Sequence, residues 1–68
     1  MTTAERLQKE AQTNPGGLAK AFAATLKDFG YPVDAAYCKT QIEAWQRGEA
    51  PKGGPSMFIH GWLRDGMS

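Results

Sequence analysis

Three clusters of proline and glycine, Asn14-Pro15-Gly16-Gly17, Gly30-Tyr31-Pro32 and Pro51-Lys52-Gly53-Gly54-Pro55, interrupt the chain and deny it any long regular element. Proline lacks the amide hydrogen that a helix or a central strand needs, and glycine tolerates backbone conformations that end both. Four stretches remain between the breaks. None alternates apolar and polar residues with a period of two, and the β-branched residues are too scattered to build a strand. The spacing instead predicts helices, and hence an all-α fold: a small three- to four-helix bundle.

The stretch from Thr3 to Thr13 follows Thr2, which stands three residues before Glu5, the spacing of a reciprocal capping box. Its apolar face is thin, with Ala4, Leu7 and Ala11 only, so residues 1–14 are expected to form a frayed or loosely docked accessory helix. From Gly17 to Phe29 the stripe is Leu18, Ala21, Phe22, Thr25, Leu26 and Phe29, a strongly amphipathic pattern. Gly30 should then close the helix in a left-handed conformation, with Tyr31 folding back on the last turn. The stretch from Asp34 to Arg47 has an aspartate to cap its start, a stripe of Ala35, Cys38, Ile42 and Trp45, and Gly48 to stop it. The fourth stretch is read as starting at a Ser56 cap and ending before Gly66, and it packs Met57, Phe58, Ile59, Trp62 and Leu63 into seven positions. Residues 17–66 should thus supply the core of one domain spanning 1–68.

A mass of 7.4 kDa gives a folded surface of about 4,200 Å² by the usual scaling, which leaves a small and marginal core. One cysteine cannot close an intrachain disulfide, so a reducing compartment is the natural home. No apolar run approaches the ~20 residues of a membrane span, and the N-terminal residues carry neither a basic leader nor an apolar h-region. The expectation is a soluble, cytoplasmic protein with no membrane association. Eight basic against seven acidic residues leave a formal charge of +1, without the basic excess of a dedicated nucleic-acid binder.

The residue types that carry chemistry are few. Cys38 and His60 could make a nucleophile and base pair, but Cys38 falls on an apolar stripe, where a thiol acts as a small hydrophobe, and His60 has no partner at a characteristic spacing and reads as a surface histidine. One cysteine and one histidine do not suffice for a structural zinc site, so neither a metal nor a cofactor is expected. Gly53-Gly54-Pro55-Ser56 before a helix is a weak match to a phosphate cradle, lacking a full glycine-lysine loop and a preceding strand; a flexible turn with a serine cap accounts for it. Enzymatic activity is not expected.

Two binding readings remain. The order of helix, glycine turn and helix over Leu18 to Arg47 resembles tri-helical helix-turn-helix domains in element order and turn placement. If the resemblance extends to function, Lys39, Thr40, Gln41 and Arg47 on the second of these helices, flanked by Lys52, would contact DNA. Asp34, Glu43 and Glu49 on or beside that helix oppose this. The favoured reading is a protein-interaction module that binds another protein or itself. The fourth helix has more large apolar side chains than a small bundle can cover, with Ile59 and Leu63 forming a core-facing row and Phe58 and Trp62 a row beside it. Tyr31, Phe58, Trp62 and Met67 are the expected anchors.

Overall fold

The computed structural model describes residues 1–66, and among them every regular element is helical: α1 (Thr3–Thr13), α2 (Pro15–Asp28), α3 (Ala35–Gln46) and α4 (Pro55–Asp65). The helices follow one another around a shared core, α2 packing on α1 and α3, and α4 closing the ring between α3 and α1. No helix is long and apolar enough to cross a membrane.

The caps explain the boundaries. At the start of α1, the Thr2 hydroxyl accepts from the Glu5 amide at 3.1 Å and the Glu5 carboxylate accepts from the Thr2 amide at 3.1 Å. Those same bonds hold the Glu5 carboxyl below its ordinary pKa. Asn14 serves two helices at once: its amide closes α1 on the Glu10 carbonyl, and its side-chain oxygen accepts from the Gly17 amide at 3.2 Å. Helix α2 therefore begins at Pro15, earlier than the glycines suggest, because proline at the first helical position loses no hydrogen bond. Both α2 and α3 end in Schellman motifs. Gly30 (φ 90°) and Gly48 (φ 81°) take the left-handed position, and the amides of Tyr31 and Glu49 reach back to the carbonyls of Leu26 at 2.8 Å and Ala44 at 3.0 Å.

The start of α4 differs from the sequence reading. Gly54 occupies the cap position and Pro55 the first turn, while Ser56 is fully buried inside the helix. Its hydroxyl accepts from the Lys52 amide at 2.8 Å and donates to the Gly53 carbonyl at 2.9 Å. Ser56 is therefore a clamp on the preceding loop and not a helix cap, and the glycine-rich segment is tied down at two points.

Ala11, Leu18, Ala19, Phe22, Leu26, Cys38, Ile42, Ile59 and Leu63 form the core, with Leu7, Tyr37, Trp45, Phe58 and Trp62 packed around it. Two expectations are corrected here. Helix α1 is docked rather than frayed: Ala11 is buried, the Gln8 side-chain amide donates to the Leu63 carbonyl at 2.7 Å, and the Gln46 side-chain amide donates to the Ala11 carbonyl at 3.1 Å. Two glutamines supply the attachment that the thin apolar stripe lacks. The α2 stripe is narrower than its spacing predicts: Ala21 is exposed while Ala19 is buried, and Phe29 is 55% exposed because it caps the end of α2, beyond the layer that Phe22 and Leu26 fill.

Candidate functional site

Helix α4 presents three rows of side chains, and each has a different neighbour. Ser56, Ile59 and Leu63 are fully buried. Phe58 and Trp62, one turn apart, lie half-buried toward the end of α2. Met57, Gly61 and Arg64 repeat at the same helical spacing on the side of the loop that follows α3.

The second row is the centre of a run of aromatic contacts. Phe22 in the core stands 5.1 Å from Trp62 between ring centroids, Trp62 stands 5.8 Å from Phe58, and Phe58 stands 5.3 Å from Tyr31. Phe29 bridges the pair, 5.7 Å from Phe58 and 6.1 Å from Trp62. All five contacts are tilted, the arrangement in which the positive edge of one ring meets the negative face of another. The Schellman turn explains how Tyr31 joins: once Gly30 reverses the backbone, Tyr31 is carried back over the end of α2 and onto α4. Of the four expected anchors, Tyr31, Phe58 and Trp62 come together, and Met67 lies outside the described residues. Phe29, missing from that set, is the most exposed of the cluster. Its position immediately before Gly30, where a helix outruns its packing layer, is the sequence feature that marks it.

The residues considered for nucleic-acid contact are not presented as one face. Lys39 and Lys52 are exposed. Gln41 is 9% exposed, on the packed side of α3, which corrects its expected place on the outer face. The Thr40 hydroxyl donates to the Ala36 carbonyl at 3.0 Å, and the Arg47 guanidinium holds the Glu49 carboxylate at 2.6 Å. The Asp34 carboxylate caps the start of α3, accepting from the Tyr37 amide at 2.8 Å.

The third row of α4 faces a half-open cavity of about 280 Å³, lined by Trp45, Gly48, Glu49, Pro51, Met57, His60, Gly61 and Arg64. Its charges are paired at the rim, Glu49 with Arg47 at 2.6 Å and Arg64 with Asp65 at 2.7 Å. His60 departs from the sequence reading: it is 6% exposed rather than a surface histidine, because its ring lies on the packed side of α4 beside Ile59. Its Nε2 is buried with no hydrogen-bond partner, alone in that respect among the buried side-chain atoms of the described residues. Burial lowers the His60 pKa below the free value, while the nearby Glu49 charge opposes the shift. Cys38 is fully buried in the core, and burial together with the Asp34 charge pushes its thiol up, which keeps it protonated and a poor nucleophile. Among the described residues no cluster of three or more His, Cys, Asp or Glu side chains could hold a metal ion. No protein-family model, curated protein or solved structure matches the chain at a significant level.

Proposed function

We propose that the chain is a protein-interaction module whose docking surface is the aromatic cluster where the end of α2 meets α4. The observation that carries this reading is Phe29, 55% exposed and continuous through ring contacts with Phe58 and Trp62. Tyr31, 37% exposed, extends the same surface. Rings braced by other rings lose little conformational freedom when a partner covers them, which is why aromatic clusters dominate interface energetics.

The size of the patch favours one kind of occupant. The exposed parts of these rings amount to on the order of 300 Å², the scale of a functional patch on a monomer. Each side of a standard interface between folded proteins contributes about 800 Å². A short apolar segment of a partner, inserting two or three side chains among the rings, suits that area better than a second folded copy. Lys27 and Asp28, exposed and immediately before Phe29 in the chain, are of opposite sign, so an apolar partner's affinity should change little with salt.

The test is to select short peptides against the folded chain from a displayed library and to map the bound peptide by amide chemical shifts. Binding should perturb residues 29–31, 58 and 62. Phe29→Ala and Tyr31→Ala should each weaken it by about 30-fold, the hot-spot scale, with a smaller loss of stability, about 1 kcal/mol, from the ring contacts given up. Peptides that map elsewhere, or dimerisation of the chain through Phe29, would overturn the reading. DNA binding through α3 has less support, since Gln41 is buried, Arg47 is held by Glu49, and an aspartate caps the end of α3 that would enter the groove.

A further inference from the structure

The aromatic cluster at the end of α2 carries polar atoms that its packing leaves unused. Neither the Tyr31 hydroxyl nor the Trp62 indole nitrogen makes a hydrogen bond among the described residues. Of the side-chain atoms there that are shut off from solvent, only His60 Nε2 is unpaired, so the indole N–H of Trp62 is not sealed inside the fold. An indole nitrogen only donates, and a phenol hydroxyl donates as readily as it accepts. The surface therefore sets two hydrogen-bond donors among rings, and it suits a partner that brings carbonyl oxygens together with apolar contact.

A short apolar segment can be held as a strand added to a sheet edge, as an amphipathic helix in a groove, or as a proline-rich segment laid across aromatic rings. The first needs an edge, and every regular element among the described residues is helical. A helix satisfies its own carbonyls, so it would leave both donors facing carbon, and it has to order itself over a patch of only about 300 Å². A polyproline II segment has neither handicap. It makes no internal hydrogen bonds, so its carbonyls are free to accept, and it is extended before it meets a partner. The spacing of the rings also fits. Centroids run from Tyr31 to Phe58 at 5.3 Å and on to Trp62 at 5.8 Å, so the ends of the run stand no more than about 11 Å apart, against ~9.3 Å for one polyproline II turn of three residues. Resting on the docking surface proposed above, we infer that its occupant is a proline-rich segment in the polyproline II conformation. Prolines three residues apart lie on the rings, and carbonyls between them accept from the Trp62 indole and the Tyr31 hydroxyl.

The experiment titrates three peptides into the full chain: one with proline at every third position and leucine between, the same peptide with alanine for each proline, and a leucine-faced amphipathic helix. Backbone amide and indole N–H resonances report where each binds. The proline peptide should give saturable shifts at residues 29–31 and 58 and should move the Trp62 indole proton. The Trp45 indole proton, on the cavity beside the third row of α4, should stay in place. The alanine peptide should bind at least about tenfold more weakly. Tyr31→Phe keeps the ring on Phe58 and removes only the hydroxyl, so it should fold as the parent does and weaken the proline peptide about fivefold. Tighter binding of the helical peptide at the same residues would overturn the proline-rich occupant and leave the docking surface standing. Failure of both the proline and the helical peptide to shift those residues would overturn the two together. An unmoved Trp62 indole proton with unchanged affinity in Tyr31→Phe would also overturn the proline-rich occupant, since the donors would then play no part.

Discussion

Phe22 and Trp45 both carry large rings on predicted apolar stripes, yet their surroundings differ enough to separate their energetics. Phe22 is fully buried and in contact with the Trp62 ring. Trp45 is half-buried and lines an open cavity. Phe22→Ala should cost about 3–5 kcal/mol, a large part of the stability of so small a domain. Trp45→Ala leaves a side that solvent already reaches, and it should cost about 2 kcal/mol or less. Denaturant titration of the two variants measures the difference, and equal costs would mean that the ring of Trp45 is held as firmly as the core. His60 gives a residue-scale dependence on pH. Its folded pKa is lowered by burial from an ordinary value of 6.5, so the unfolded chain takes up the proton first. The contribution of the neutral ring is full above that value and is lost as pH falls from there through the lower, folded pKa. Thermal melts between about pH 7 and 5 should show stability falling with acid, and His60→Gln should flatten that slope. Glu49, which faces the ring across the cavity and is itself held ionised by Arg47, limits the loss.

Among the elements, the junction of α1 and α2 depends on one side chain. Asn14 ends the first helix through its amide and starts the second through its carboxamide oxygen, with its side-chain nitrogen also donating to the Glu10 carboxylate at 3.2 Å. Asn14→Ala removes the cap of α2 and should cost about 1–2 kcal/mol in chemical denaturation. Two glycines within helices should respond in opposite directions to the same substitution. Gly61→Ala gains helix propensity in open space and should stabilise by up to about 1 kcal/mol. At Gly17 a Cβ would run into the Asn14 side chain, so Gly17→Ala displaces the cap and should give no gain. A destabilised Gly61→Ala variant would show that the methyl group meets something at this position after all. The attachment of α1 is polar, through Gln8 to the Leu63 carbonyl and Gln46 to the Ala11 carbonyl.

At the scale of the whole molecule, size and surface are those of a compactly folded chain. The accessible surface is 4241 Å², against about 4,200 Å² from the mass alone. The radius of gyration is 10.6 Å, against about 11 Å for a folded chain of this length. Apart from Met1, the large apolar side chains given as exposed are Phe29 and Tyr31 at the end of α2 and Met57 on α4. If the aromatic patch takes a short partner segment rather than a second copy, sedimentation equilibrium should report the monomer mass of 7.4 kDa at concentrations up to about 100 μM, a range in which a functional homodimer would already be formed. Because α1 is tied to both α3 and α4 by side-chain hydrogen bonds, its amides should exchange together with those of α3 in one cooperative unfolding event. Early exchange of α1 alone would show that the glutamine contacts do not hold it.

The local chemistry was legible in the sequence because it depends on neighbours in the chain. The capping box at Thr2 and Glu5, the Asp34 cap, the closures at Gly30 and Gly48 and the amphipathic stripe of α2 all act within one or two turns, where spacing alone decides who meets whom. Tyr31, Phe58 and Trp62 could be named as a group because each is large, apolar and surplus to a narrow helix face. What the tertiary structure decided is which end of each stripe the core reaches. Phe29 and Trp45 continue perfect periodic patterns, but α2 outruns its packing layer at one and a cavity opens beside the other. The docking of α1 was hidden because glutamine reads as a solvent-facing residue until a carbonyl 55 positions away lies within its reach. The same holds for Ser56 and His60: a hydroxyl that clamps a loop and an imidazole closed off beside a cavity are set by how α4 is rotated against α3, and a pattern read along one helix does not contain that angle.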